Sequence, residues 1–107
     1  MPLSTPPDPP GLRCELTQQV QGATVSITGL VFASEVKVGT YQLRVVKKGP
    51  AGTSVLNQGG TFTAKPSEAS PIGHLALSVE AGGGYTAHLL VASGDSRAEC
   101  EDVHERL

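Results

Sequence analysis

The sequence has no tryptophan, only two tyrosines and two phenylalanines, and a single pair of cysteines. A core built from it must be mostly aliphatic, which suits a thin sandwich of two sheets. Nowhere does an apolar pattern of period 3.6 run for three turns, so helix content should be near zero. No apolar run is long enough to cross a bilayer, and membrane insertion is not expected. No signal peptide is expected: the opening M-P-L-S-T-P-P-D-P-P reads as a start Met placed on a mature, Pro-rich N-terminus. The five prolines in residues 1–10 remove amide donors and favour extended, unpaired backbone, so a disordered leader is expected there.

A net charge of -2 argues against nucleic acid as a partner, because phosphate binding needs a net basic footprint. The distribution says more than the sum. Val36 to Ser67 holds Lys37, Arg44, Lys47, Lys48 and Lys65 and no acid, whereas Asp95 to Leu107 holds five acids against Arg97 and Arg106. The molecule is expected to have a basic middle and an acidic tail.

What is present is alternation. Leu12, Cys14 and Leu16 alternate with Arg13, Glu15 and Thr17, and the strand ends before a turn at Gly22. Ala23 to Ala33 turns Val25, Ile27 and Val31 to one side, with Gly29 a candidate bulge or close-approach point. In Val38 to Lys48, Tyr41, Leu43 and Val45 face the core and Gln42, Arg44, Val46 and Lys48 face out. Ser54–Leu56 and Thr61–Ala64 read as two short strands hinged at Asn57-Gln58-Gly59-Gly60, and Pro66 to Pro71 as loop. His74 to Glu80 points Leu75, Leu77 and Val79 inward. After the turn at Ala81-Gly82-Gly83-Gly84, the next strand sends Tyr85, Ala87, Leu89 and Val91 inward and Thr86, His88 and Leu90 outward. Ser93-Gly94-Asp95-Ser96 turns the chain into Arg97 to Val103. Turn signals every 8 to 12 residues or so are the spacing of an antiparallel sandwich. The expectation is one all-β, immunoglobulin-like antiparallel sandwich of about seven strands over residues 11–104. The run Y-x-A-x-L-x-V from Tyr85 resembles the immunoglobulin F strand, with Tyr85 placed as a tyrosine corner and Ala87 where the inter-sheet cysteine would sit.

Cys14 and Cys100 are expected to point inward on the first and last strands. A bridge between them would close a loop of roughly 86 residues, worth at most about 4 to 5 kcal/mol in the chain-entropy model, and would imply an oxidising compartment. The alternative is two unpaired buried cysteines in a cytosolic protein. A zinc site could draw on Cys14, Cys100, His104 and one more His, but no close cysteine pair anchors it, so no metal or other cofactor is expected. Gly94-Asp95-Ser96 lacks the following glycine of the serine-protease run, and Gly82-Gly83-Gly84 lacks the Lys-Ser/Thr of a phosphate loop. The three histidines are scattered, and no nucleophile has a neighbouring base, so an enzyme is not expected. There remains a binding surface. In such a sandwich Gln42, Arg44, Val46 and Lys48 should lie beside Thr86, His88 and Leu90 on one cationic sheet face, able to steer an acidic or polar polypeptide.

The runs Y-Q-L-R-V-V-K-K-G-P-A-G-T-S, N-Q-G-G-T-F, L-A-L-S-V and Y-T-A-H-L-L-V, in this order between Leu12 and Ser93, resemble the CsgC-like family of curli assembly chaperones, most closely its CsgH branch. The resemblance implies a periplasmic immunoglobulin-like domain, acting as a monomer, that keeps unfolded or early assembling curli subunits from forming amyloid before export. It also implies that a positive sheet surface meets the client; the matching positions are Arg44 and Lys48, with Lys47 and Lys37 further candidates. The enterobacterial branch carries Cys-x-Cys where this chain has Val38-Gly39-Thr40, so no redox role follows. The competing expectation is a structural or adhesive sandwich that joins an extracellular assembly through an exposed edge.

Overall fold

A computed structural model of the chain describes residues 11–104, and the expected leader at residues 1–10 lies outside them. Seven strands follow one another: β1 Leu12–Gln21, β2 Thr24–Ala33, β3 Lys37–Gly49, β4 Gly52–Ala64, β5 Ser70–Ser78, β6 Gly84–Ser93 and β7 Ser96–His104. They form two antiparallel sheets, β1-β2-β5 and β4-β3-β6-β7, packed as a sandwich. This is the all-β architecture expected from the alternation.

The side chains of period two that point between the sheets make the core. Val25, Ile27, Val31, Leu43, Val45, Leu89 and Val91 are almost completely buried, as is Ala87 at the position an inter-sheet cysteine would take. Shortening one of them, Leu43→Ala for example, would cost about 2 to 5 kcal/mol, since the lost transfer energy adds to the cavity left behind. Phe62, Ala64 and Ile72 complete the core from β4 and β5.

The structure corrects the reading of the middle of the chain. The two short strands expected around Asn57-Gln58-Gly59-Gly60 are one continuous strand of 13 residues, paired with β3 from Gly49↔Gly52 to Lys37↔Ala64. The two glycines are accommodated because a neighbour covers one of them: a Cβ on Gly60 would sit 3.1 Å from the Tyr41 ring. β5 begins at Ser70, within the stretch read as loop.

Gly29 is the close-approach point, where a Cβ would fall 2.8 Å from both the Ile72 carbonyl and the Leu89 side chain. The extra residue of the bulge is on the partner strand. Thr28 pairs with His74 and Gly29 with Ile72, so Gly73 is unopposed, at φ 72°. The bulge switches the side-chain parity of β5, which is why both Ile72 and Leu77 are buried although five positions separate them.

Both flanks of the sandwich are tied. On one, Cys14 of β1 and Cys100 of β7 are joined by a disulfide with Cα atoms 6.1 Å apart; two of the ligands weighed for zinc are therefore bonded to each other. On the other, Gln58 of β4 reaches β5. Its Nε2 donates to the His74 carbonyl at 3.1 Å, and the His74 amide donates to Gln58 Oε1 at 2.6 Å.

The tyrosine corner is not formed. Tyr85 is buried, but its hydroxyl finds no hydrogen-bond partner among the described residues. Its ring instead lies 4.9 Å from that of His104, whose Nε2 is 3.0 Å from Asp102 Oδ2. Burial, with the Asp102 charge adding to it, pushes the Tyr85 hydroxyl up to about 12.

Candidate binding face on the four-stranded sheet

The side of the β4-β3-β6-β7 sheet that faces away from the core can be read in rows from the register. Strand β3 supplies Gln42, Arg44, Val46 and Lys48 to this face, because Tyr41, Leu43 and Val45 take the other. The central row runs Asn57, Arg44, His88, Glu101 from edge to edge. Beside it lie Gly59, Gln42, Leu90, Glu99 on one side and Val55, Val46, Thr86, Val103 on the other. Lys48 continues the basic column opposite Thr53 and Gly84. The juxtaposition of Gln42, Arg44, Val46 and Lys48 with Thr86, His88 and Leu90 is thus as the strand assignments require.

Lys37 and Lys47 stand elsewhere. Both have core-side parity on β3, opposite Ala64 and Ser54 respectively. Lys37 is mostly covered and lies 3.6 Å from Glu35. Neither shares the face that carries Arg44 and Lys48.

The face is not uniformly cationic. Glu99 and Glu101 of β7 point out on it, and His88 Nε2 lies 3.3 Å from Glu99 Oε2, an ion pair when the imidazole is protonated. The basic middle and the acidic tail of the sequence are therefore columns of one sheet, separated by β6 and about 10 Å apart at two strand spacings. The signal for this was the hairpin at Ser93-Gly94-Asp95-Ser96: pairing Ser93 with Ser96 fixes His88 opposite Glu101. Arg44 and Lys48 have no ion-pair partner among the described residues, in contrast to Arg13, which sits 2.7 Å from Glu15 and 4.2 Å over the Phe32 ring.

The surface relief comes from side-chain size. Where Gly59 lacks a side chain, a shallow open depression forms between Gln42, Arg44, Asn57, His88 and Leu90. A second continues it past Thr40, Thr61 and Ala92. Val55 and Val103, at the two ends of the aliphatic row, are about half exposed. Such a surface offers charge, an aliphatic strip and open relief to a polypeptide. Among the described residues no group of three or more His, Cys, Asp or Glu is placed to hold a metal ion.

Fold and face together define a class: a seven-stranded immunoglobulin-like sandwich whose polar features lie on an open sheet surface. Within that class the chain belongs to the CsgH protein family, whose model matches residues 13–103. It is similar to R. palustris CsgH, with 33% identity and a TM-score of 0.72 over 84% of this chain and 89% of that one. The E. coli curli protein CsgC shares the fold at a TM-score of 0.73, with 16% identity over 84% of this chain and 96% of that one. No curated protein sequence matches the chain.

Proposed function

We propose that this protein is a periplasmic chaperone that binds curli subunits transiently through the β3 column of the sheet face and so delays their assembly into amyloid. The observation that carries the reading is the pair Arg44 and Lys48, exposed on a regular sheet face and without an intramolecular counter-charge among the described residues. Charges left free on a surface contribute little to folding and are available to attract an acidic segment from solution. Family membership supports the curli subunit as client. The disulfide between Cys14 and Cys100 supports an oxidising compartment.

In this mechanism the columns divide the work. Arg44 and Lys48 raise the rate of encounter, and the aliphatic row from Val55 to Val103 supplies contact that is easily broken. Glu99 and Glu101 repel a client that slides too far toward β7, which orients it over β3 and β4. The test is a thioflavin time course of a purified curli subunit with this protein added at low molar ratio. A monomeric protein that lengthens the lag supports the reading, whereas co-assembly into the fibre near one to one would show a structural module instead.

A further inference from the structure

Among the described residues the sandwich has four edge strands, and three of them are guarded. β1 and β7 lie along the same flank and are joined by the disulfide; β1 carries Arg13 and Glu15, and β7 carries Arg97, Glu99, Glu101 and Asp102. β5 has Pro71 and the bulge at Gly73. These are the usual means by which an edge is kept from pairing with foreign chains. β4 has none of them: its 13 residues, G-T-S-V-L-N-Q-G-G-T-F-T-A, include no charge and no proline. Near its middle Gln58 engages β5, but Thr53, Ser54, Val55 and Asn57 are exposed and Leu56 half-buried.

The register shows which main-chain groups of this edge are open. Ser93 of β6 donates its hydroxyl to the Val38 carbonyl at 2.7 Å, so the even-numbered residues of β3 direct their main-chain groups to β6 and the odd-numbered ones to β4. Lys47↔Ser54 and Val45↔Leu56 are then the hydrogen-bonded pairs of the hairpin. Thr53, Val55 and Asn57 turn their N–H and C=O groups away from β3, and among the described residues β4 pairs with no other strand.

We propose that this open half of β4, Gly52–Asn57, takes an extended polypeptide segment as an added strand, by main-chain pairing with Thr53, Val55 and Asn57. The side chains define the segment. Beside Thr53 and Val55 an uncharged β-branched or small polar residue fits the pleat. In line with Asn57, the next residue of the row inward is Arg44, so a carboxylate on the added strand would stand about 10 Å from its Cα, within reach of the guanidinium. The occupant is therefore an unfolded segment with an acidic residue among uncharged strand-forming ones. A second copy of this chain fits worse: pairing β4 with β4 would bring two Arg44 and Lys48 columns toward each other with no acid on either β4 between them. The proposal rests on the reading that this protein holds aggregation-prone subunits, and it adds the site where the client backbone is held.

The test uses the full chain and a synthetic peptide of about eight Thr, Ser and Val residues with one central Asp, long enough to span the open half. Amide exchange followed by NMR should show the Thr53, Val55 and Asn57 amides becoming protected as the peptide binds. Val55→Pro removes one outward donor at a position where an edge strand tolerates proline, and should weaken the peptide by about tenfold. The same peptide N-methylated on alternate residues should bind no better than that, which carries the test if Val55→Pro fails to fold. Changes confined to Arg44, His88 and Leu90, with the three edge amides still exchanging freely, would overturn the proposal, as would sedimentation showing that β4 is covered by a second copy. In the fibrillation assay the two ideas separate. If Val55→Pro still inhibits while the double reversal Arg44→Glu, Lys48→Glu does not, the edge proposal falls and the charged-face reading stands; the opposite pattern sinks the face and keeps the main-chain pairing at the edge, but overturns the acidic residue matched to Arg44.

Discussion

Gln58 and His74 are joined as two strands would be: the side-chain amide of one donates to the carbonyl of the other and accepts from its N–H, across the open flank between the two sheets. The side chain thus stands in for a strand that neither edge has. Next to it the Tyr41 ring fills the space over Gly60 and Gly73, approaching the Cβ position of each to within about 3 Å. Loss of the amide would leave the exposed His74 main-chain groups to water in place of this partner. Gln58→Ala should therefore destabilise the domain by about 0.5 to 1.5 kcal/mol, and Gln58→Glu, which keeps the acceptor but loses the donor, by a comparable amount. Urea unfolding of the two variants checks this; an effect within a few tenths of a kcal/mol would show that the flank is held by Tyr41 packing alone.

This clamp also marks where the sequence stopped being readable. Strand faces were legible because period two needs nothing but local alternation, and Val25, Ile27, Leu43, Val45, Leu89 and Val91 are buried as their positions imply. The face around Arg44 is legible because the sandwich class makes β3 and β6 neighbours. What alternation hides is any exception to it. A Gly-Gly pair usually breaks a strand, and here Tyr41 covers Gly60, so β4 runs through it. The bulge at Gly73 inverts parity in the middle of β5 and brings Ile72, which lies between the expected loop and the expected strand, into the core. Glu99 and Glu101 were counted as a tail, although the hairpin before them returns them to the face of Arg44.

The disulfide ties β1 to β7 over a sequence separation of 86. Closing so long a loop limits the unfolded chain, and the double variant Cys14→Ser, Cys100→Ser should lose about 2 to 5 kcal/mol relative to the oxidised protein. Intact mass after thiol alkylation, compared with and without reductant, reports the bridge itself. Alkylation of both cysteines in an oxidised, folded sample would contradict the structure and remove one support for an oxidising compartment.

Tyr85 supplies a prediction with a sign. Its folded value of about 12 lies above the ordinary tyrosine value of 10, through burial first and the Asp102 charge second. A group whose folded value is raised stabilises the fold fully below the unfolded value and loses that contribution as pH rises through the folded one. Stability should therefore fall between about pH 10 and 12, by some 2 to 3 kcal/mol at most. Tyr85→Phe removes both the titration and an unpartnered buried hydroxyl. It should be neutral or slightly stabilising at pH 7, and its alkaline loss should be smaller. Destabilisation of a kcal/mol or more at neutral pH would mean that the hydroxyl makes the corner hydrogen bond after all.

Any charge reversal has to respect the two columns of the proposed binding face. Reversing Arg44 and Lys48 to Glu changes the net charge by four units at exposed positions, where the folding cost should stay within about 1 kcal/mol. Inhibition of curli-subunit fibrillation should need about tenfold more protein. Reversing Glu101 and Asp102 is no neutral control, because Glu101 shares the row of Arg44 and Asp102 lies against His104. A control matched in charge is Arg13→Glu with Lys65→Glu, on the β1 strand and in the β4–β5 connection, away from the face; because it also breaks the Arg13–Glu15 pair, urea unfolding must first show that it is folded. That variant should inhibit like the parent protein. Glu99→Gln with Glu101→Gln should inhibit somewhat better, since the opposing column is removed. Because exposed charges are screened beyond roughly 8 Å at physiological ionic strength, added salt should weaken the parent protein and leave the Arg44, Lys48 variant nearly unchanged. If both charge-reversed variants lose activity equally, net charge and not this face governs encounter; if neither does, the columns of the sheet have no part in holding the client.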